Sequence, residues 1–260
     1  MENRIDDLVI DKSHSSPNYN QRIFSLVLHY TAAEFENSLK ILTDPKTQLS
    51  AHYLVPEESM DGQRKIFQLV KEEERAWHAG FSRWQKRTNL NDTSIGIEIV
   101  NLGYTDDKKG KRTWYPFSDY QIESVIELAK IIVERYNIPA THVIGHSDIA
   151  PGRKVDPGPL FPWKKLYENG IGAWFDEGAV KKERALNCYH EINIEKLQKN
   201  LLTYGYGIEI TGKLDEETIT ILQAFQMHFR PSDFSGNPDS ETSAILENLI
   251  QKYISNQVSN

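Results

Sequence analysis

Residues 118–146 read SDYQIESVIELAKIIVERYNIPATHVIGH, and this stretch decides the fold class. Ser118 and Gln121 have the spacing of a capping box, which marks the start of a helix. We expect the helix to end near Asn137, just before Pro139, and residues 142–146 to form a strand. One face of the helix is apolar and should pack on a core: Val125, Ile126, Leu128, Ala129, Ile132, Val133 and Tyr136.

Short apolar runs on the N-terminal side of this helix predict further strands. They lie at residues 24–28, 50–55, 65–70 and 94–100. A short helix is predicted over residues 38–43, before Pro45. Strands that alternate with helices indicate an α/β domain, which we expect to contain a central mixed β-sheet flanked by helices.

The apolar pattern becomes purely helical after about residue 176. Three helices are predicted: one over residues 194–204, one capped by Asp215 and one capped by Asp239. The charged residues 177–184 are expected to form a linker. The chain should therefore consist of a catalytic domain at residues 1–177 and a small three-helix domain at residues 178–260.

A chain that ends near Glu177 can behave in two ways. We expect it to remain folded, because the α/β pattern lies before that point. The alternative is that the three helices cover an apolar face of the first domain, which truncation would expose.

The composition narrows the class of protein. The chain has 260 residues, 39% of them hydrophobic and 26% charged, which is enough apolar material for a buried core. The net charge is −7, and no basic run is interleaved with aromatic residues, so nucleic acid is not expected as a partner. Cys188 is the only cysteine, which excludes an internal disulfide and a cysteine-rich metal cluster.

The N-terminal residues and the hydropathy pattern leave the cellular location of the protein open. No apolar stretch approaches the roughly 20 residues that span a bilayer, so no transmembrane segment is expected. Residues 1–7, MENRIDD, lack the basic and apolar regions of a secretory signal. The chain is therefore either a cytoplasmic protein or the mature form of an exported one.

Three side chains suggest a metal site. His29 and His146 each stand at the end of a predicted strand, and the proline- and glycine-rich loop 145–158, GHSDIAPGRKVDPG, carries Asp156. Two imidazoles and a carboxylate, with the fourth position left to water, form a catalytic zinc arrangement. The alternative is two ordinary histidines and an aspartate that only forms a turn. The loop as a unit, with Lys154 two residues before Asp156, favours the metal site.

Glu98 is an unusual residue for a predicted strand. Residues 94–100 alternate strictly, and Glu98 lies on the face opposite Ile95, Ile97 and Ile99. The carboxylate either points into a cleft or lies in solvent on a half-exposed edge strand. Next to a metal site, a glutamate can take a proton from the attacking water and later pass it to the leaving nitrogen.

Several motifs occur in an order that is typical of one family: LHYTA (28–32), SAHYLV (50–55), AWHAG (76–80), NDTSIGIE (91–98) and the loop 145–158. The chain resembles the zinc-dependent amidases of the type-2 N-acetylmuramoyl-L-alanine amidase family, which also includes peptidoglycan recognition proteins. The resemblance covers residues 22–174. Residues 224–231, AFQMHFRP, resemble the peptidoglycan-binding module that is joined to some of these amidases.

The resemblance implies a role for each matching residue. His29, His146 and Asp156 match the zinc ligands of the family. Glu98 matches its acidic catalytic residue, and Lys154 matches the lysine that stabilises the oxyanion. No matched catalytic position is substituted, which favours an active enzyme.

Three more residues are expected near the substrate. Trp77 and His78 match a wall of the family's substrate pocket, although a packing role is the alternative for each. Arg153, next to Lys154, is expected to contact a carboxylate of the peptide.

The resemblance implies zinc-dependent hydrolysis of the amide bond between N-acetylmuramic acid and L-alanine in bacterial peptidoglycan. A non-catalytic peptidoglycan receptor and a zinc peptidase that cuts within the stem peptide are the alternatives. The expected partners are peptidoglycan or muropeptide fragments, and the chain is expected to be a monomer. The periplasm or cell envelope is the expected location, with the cytoplasm as the alternative.

Overall fold

The computed structural model describes residues 11–187 and 191–255 of the chain. The strands within them are β1 (Ser25–Tyr30), β2 (Tyr53–Val55), β3 (Phe67–Gln68), β4 (Arg83–Trp84), β5 (Arg87–Thr88), β6 (Ser94–Ile99), β7 (Tyr104–Asp106), β8 (Arg112–Trp114) and β9 (Val143–Gly145). The α-helices are α1 (Phe35–Thr43), α2 (Asp119–Tyr136), α3 (His146–Ile149), α4 (Trp163–Glu168), α5 (Glu177–Asn187), α6 (Ile194–Tyr204), α7 (Glu216–Phe229) and α8 (Ser240–Tyr253).

The central sheet is mixed, as predicted. Its strand order is β3-β2-β6-β1-β9. Strand β1 pairs in parallel with β6 and β9, β6 pairs in parallel with β2, and only β3 runs antiparallel to its neighbour. Residues 25–29 of β1 are all buried, and since successive side chains point to opposite faces, both faces of this strand are covered.

Helix α2 confirms the capping prediction. Ser118 Oγ accepts a hydrogen bond from the Gln121 backbone N–H at 3.2 Å, and Gln121 Oε1 accepts one from the Ser118 N–H at 3.0 Å. Helix α2 ends at Tyr136, and Asn137 follows in the left-handed conformation with φ of 49°. This conformation stops the helix at the position expected from Pro139.

The predicted strand at residues 142–146 is too long. Only Val143–Gly145 is extended, and His146 is the first residue of the helical turn α3. The Asp148 carboxylate accepts a hydrogen bond from the Gly145 N–H at 2.7 Å, which caps this turn. His146 therefore lies at a strand-to-helix junction, which fixes the direction in which its ring leaves the backbone.

The three helices predicted in the C-terminal part are present as α6, α7 and α8. The carboxylates of Asp215 and Asp239 accept hydrogen bonds from backbone N–H groups at the starts of α7 and α8, as predicted. Within the described part of the chain, every helix is too short or too polar to cross a bilayer.

Residues 177–184 were predicted to form a linker, but they belong to helix α5. This helix packs on α8 and buries Val180, while the charged residues around Val180 lie at the surface. Arg184 also forms an ion pair of 3.0 Å with Glu241 of α8. Packing on α8 and ion pairs with neighbouring helices therefore order a segment whose charged composition is typical of a linker.

One hydrophobic core, which we call the shared core, runs from the sheet into the C-terminal helices. Trp84 packs edge-on against Tyr206, with ring centroids 5.0 Å apart. Trp163 stacks on His228 at 3.8 Å, and Trp174 lies 5.9 Å from Phe229. The C-terminal helices thus cover an apolar face of the α/β part. This favours the alternative that a chain ending near Glu177 exposes that face.

Candidate active site

Three parallel strands bring the predicted site residues to one edge of the sheet. In the register of β1 and β6, His29 stands opposite Glu98. Gly145 of β9 pairs with Leu28 on the other side of β1, so His146 begins its helical turn beside His29. The loop after α3 returns to the same place, where the Ser147 N–H donates to the Asp156 carbonyl oxygen at 2.8 Å.

The side chains of His29, His146 and Asp156 converge on one point. The Nδ1 atoms of the two histidines are 2.9 Å apart, and Asp156 Oδ2 lies 3.1 Å from the first and 3.0 Å from the second. All three residues are buried. Zinc bonds of about 2.0–2.1 Å place the ligand atoms of a tetrahedral site about 3.3–3.4 Å apart, so the triangle is close in size to one face of such a site.

The tautomer of His146 follows from the hydrogen bond at its second ring nitrogen. Nε2 lies 3.1 Å from the backbone oxygen of Ala79, which can only accept a hydrogen bond. Nε2 therefore carries the proton of the neutral ring. Its Nδ1 lone pair is left directed at Asp156, as in histidines that bind metals.

A chain of hydrogen bonds fixes the proton of His29 in the same way. The Ser94 hydroxyl donates to the Leu90 carbonyl at 2.5 Å, so Ser94 Oγ accepts from His78 Nε2–H at 3.2 Å. The Nδ1 atom of neutral His78 is then an acceptor, and His29 Nε2–H donates to it at 3.0 Å. His29 Nδ1 is left with a free lone pair. Two lone pairs and a carboxylate oxygen within about 3 Å repel one another unless a cation lies between them.

The charges of these groups suit a divalent cation. Burial lowers the pKa of His29 to about 4, and the neighbouring His146 ring lowers it further, while Asp156 opposes the shift. Burial and the surrounding imidazoles also hold the pKa of His78 well below its usual range. Burial disfavours the Asp156 carboxylate, but protons on the His146 and His29 Nδ1 atoms hold its pKa below the ordinary value. With both Nδ1 atoms unprotonated, a divalent cation between them would take the place of that positive charge. Neutral imidazole and ionised carboxylate are the forms that bind zinc.

Glu98 lies beside this cluster with its carboxyl group turned inward. Its Oε2 atom is shielded from solvent and has no hydrogen-bond partner among the described residues. Burial raises the pKa of Glu98 to about 8, the Asp156 carboxylate adds to the rise, and Lys154 opposes it. A carboxyl group with a raised pKa beside a metal site can both accept and donate a proton near neutral pH.

A groove of about 520 Å³ opens in front of the cluster. Its wall includes most of the predicted residues: Trp77, His78, Glu98, His146, Lys154 and Asp156. Trp77 is 48% exposed, so its ring is available to a ligand. The groove also contains Tyr30, Leu102 and Tyr104, which the sequence did not mark as site residues. Tyr30 belongs to the LHYTA motif but was given no role, and Leu102 and Tyr104 lie outside the recognised motifs.

His78 lines the groove but is mainly a partner of His29. Only 7% of it is exposed, and its ring lies against Gly96 of β6. A Cβ atom at position 96 would be 2.4 Å from Cγ of His78, so glycine is required for this approach. The structure thus adds a hydrogen-bonding role to the groove-lining and packing roles considered from the sequence.

Arg153 lies in a second hollow of about 380 Å³, which shares Trp77 and Lys154 with the main groove. Its guanidinium donates to the backbone oxygens of Ala79 at 2.8 Å and Phe81 at 2.7 Å. It therefore anchors the segment that also accepts from His146. Contact with a peptide carboxylate stays a prediction.

Asn91 is a further residue of the site that was given no role from the sequence. Its Oδ1 accepts hydrogen bonds from the backbone N–H groups of His78 at 3.0 Å and Ala79 at 2.7 Å. It holds the AWHAG segment against the sheet. Its position in the NDTSIGIE motif was the available signal, but the motif does not reveal which backbone it binds.

Comparisons with known proteins agree with this geometry. Residues 19–159 match the N-acetylmuramoyl-L-alanine amidase family, and residues 191–246 match a peptidoglycan binding domain. The chain is 47% identical over 235 residues to N-acetylmuramoyl-L-alanine amidase AmiD of Escherichia coli, covering 89% of this chain and 84% of that protein.

Two solved structures are similar over nearly the whole chain. One is E. coli AmiD in complex with the substrate anhydro-N-acetylmuramic acid-L-Ala-D-gamma-Glu-L-Lys, with a TM-score of 0.87 and 45% identity over 94% of this chain and 95% of that one. The other is AmpDh3 of Pseudomonas aeruginosa in complex with anhydromuramic pentapeptide, with a TM-score of 0.86 and 45% identity over 95% of this chain and 99% of that one. The chain therefore belongs to the N-acetylmuramoyl-L-alanine amidase family.

Proposed function

We propose that the chain is a zinc-dependent hydrolase that cuts the amide bond between N-acetylmuramic acid and L-alanine in bacterial peptidoglycan. The convergence of His29, His146 and Asp156 at one end of an open groove, next to Glu98, carries this proposal. The substrate is supported by the muramic acid peptides in the structures of E. coli AmiD and P. aeruginosa AmpDh3.

The residues of the chain divide the chemistry between them. His29, His146 and Asp156 would hold a zinc ion, which would supply a Lewis acid for the scissile carbonyl and lower the pKa of a bound water molecule to about 7. Glu98 takes the proton of the attacking water on its carboxylate and passes it to the alanine nitrogen as the bond breaks. The Lys154 ammonium, which lines the same groove, stabilises the negative charge that develops on the carbonyl oxygen.

The C-terminal residues supply a second attachment to the polymer. The match of residues 191–246 to a peptidoglycan binding domain supports this role for the predicted domain at residues 178–260. Attachment to an insoluble polymer raises the effective concentration of the catalytic groove near its bonds. A protein with this combination acts on the wall itself, so we propose the periplasm or cell envelope as its location, and a monomer as its working form.

The two rival functions make different demands on the site. A non-catalytic receptor has no use for a carboxyl group with a raised pKa beside metal ligands, and here Glu98 lies beside the three candidate ligands. A zinc peptidase could use the same groups, so only the position of the cleaved bond separates it from an amidase.

Product analysis tests the proposal. The zinc-loaded protein is incubated with a defined soluble muropeptide, and the products are identified by mass. We expect one product to be the intact stem peptide that begins with L-alanine, and its formation to stop when a chelator removes the metal. A shortened stem peptide would identify a peptidase, and an unchanged substrate at full zinc occupancy would identify a receptor.

A further inference from the structure

Asp148 forms a buried hydrogen-bonded centre on the side of α3 that faces the C-terminal helices. Its side chain is 1% exposed. It accepts hydrogen bonds from the Gly145 N–H at 2.7 Å, the Tyr206 hydroxyl at 2.6 Å and His228 Nδ1–H at 2.8 Å. A buried carboxylate depends on such donors, because burial removes its hydration.

Two of these three donors belong to the C-terminal part of the chain. Tyr206 follows helix α6, and its side chain is completely buried. His228 lies on α7, and its ring is stacked on Trp163 at 3.8 Å with an interplanar angle of 15°. Packing therefore fixes the rings of both donors in the orientation in which they bind Asp148.

The helical turn that carries Asp148 also carries one of the three candidate metal ligands. His146 is its first residue, and the Asp148 carboxylate caps the same turn through Gly145. The next residue, Ser147, donates its N–H to the Asp156 backbone oxygen at 2.8 Å. A shift of α3 would thus move the His146 ring and the Asp156 backbone together.

We propose that Tyr206 and His228 are positioning residues for the metal site, which they hold in register through Asp148. The inference rests on the proposed zinc site and adds to it that the C-terminal module completes that site, besides any contact with the polymer. The two donors hold α3 through their hydrogen bonds to Asp148. Their loss should leave the ligands in place but loosen the triangle that they form.

The competing interpretation is that Tyr206 and His228 only stabilise the contact between the two parts of the chain. A structural role of that kind lowers the melting temperature but leaves the zinc affinity of the folded protein unchanged. A positioning role changes the zinc affinity at a temperature where every variant is folded. Partners that orient metal ligands typically contribute about 10- to 100-fold in affinity.

The test compares matched substitutions in the full-length chain. Tyr206→Phe removes the hydroxyl bound to Asp148, whereas Tyr204→Phe removes a hydroxyl from a neighbouring buried ring that has no hydrogen bond to Asp148. His228→Asn keeps an N–H donor near the Nδ1 position, whereas His228→Leu removes it. Zinc affinity is measured by competition with a chromogenic chelator, beside a thermal melt and kcat and KM on a soluble muropeptide.

We expect Tyr206→Phe and His228→Leu to weaken zinc binding about 10-fold or more and to lower kcat with little change in KM. Tyr204→Phe should bind zinc like the unaltered chain, and His228→Asn should bind it more tightly than His228→Leu. Unchanged zinc affinity in both Tyr206→Phe and His228→Leu would overturn the inference and leave the proposed function standing. Absence of zinc binding by the unaltered chain would overturn the proposed function, and this inference with it.

Discussion

A chain that ends after Glu177 lacks the residues that cover one side of the shared core. Three rings lose their main partners on that side: Trp84, Trp163 and Trp174. A buried tryptophan hides about 150–250 Å² of surface, so exposing half of it costs about 2–3 kcal/mol at about 25 cal/mol per Å². The three rings together cost about 6–9 kcal/mol, which is comparable to the about 5–15 kcal/mol that keeps a domain folded. Asp148 also loses two of its three hydrogen bonds.

We therefore expect residues 1–177 alone to melt without a cooperative transition and to bind a hydrophobic dye at room temperature. Circular dichroism melts and dye fluorescence measure both properties, with the full-length chain as the control. Adding a separately produced chain of residues 178–260 should restore part of the transition by covering the same face. A truncated chain that melts cooperatively within about 3 °C of the full-length protein would refute the reasoning, because that shift corresponds to only about 1 kcal/mol.

The remaining predictions concern the metal site and the catalytic carboxyl group. Alanine at His29, His146 or Asp156 should reduce bound zinc from one ion per chain to a small fraction, because two ligands hold zinc far less tightly than three. Elemental analysis measures the bound zinc. A full zinc content in all three variants would contradict the assignment. Glu98→Gln should keep its zinc but lose about 10²- to 10⁴-fold in kcat on a soluble muropeptide, and near-normal turnover would leave Glu98 with a structural role only. His78→Phe should weaken zinc binding about 10- to 100-fold in chelator competition, since it removes the acceptor for His29 Nε2–H; unchanged affinity would mean that the His78 ring only packs.

Local sequence signals predicted the parts of the fold that depend on neighbouring residues. The capping pair Ser118 and Gln121 marked the start of α2, and Asp215 and Asp239 marked the starts of α7 and α8. Each of these bonds joins residues three positions apart, so the sequence contains the whole interaction. His29 was grouped with the other ligands because His29 and His146 each stood at the end of a predicted strand and because all three residues match the metal ligands of one family.

The features that the sequence did not reveal depend on contacts between distant residues. The partners Tyr206 and His228 lie 58 and 80 residues from Asp148, and no periodicity or spacing connects them. The same applies to His78, whose neighbour His29 is 49 residues away. Helix α5 was missed because its composition is charged. It is ordered by packing on α8, a contact that the local sequence does not show.

The close approach of Gly96 to the His78 ring couples the residue types that positions 96 and 78 can carry. Any side chain at position 96 would overlap the ring, since even a Cβ atom would stand 2.4 Å from its Cγ. A substitution at 96 therefore displaces the His78 ring and removes the acceptor of the His29 Nε2–H group. Without that acceptor, the tautomer that directs His29 Nδ1 at the metal is no longer held. Positions 96 and 78 are therefore coupled. A larger residue at 96 is compatible with metal binding only where another group accepts the His29 Nε2–H hydrogen bond.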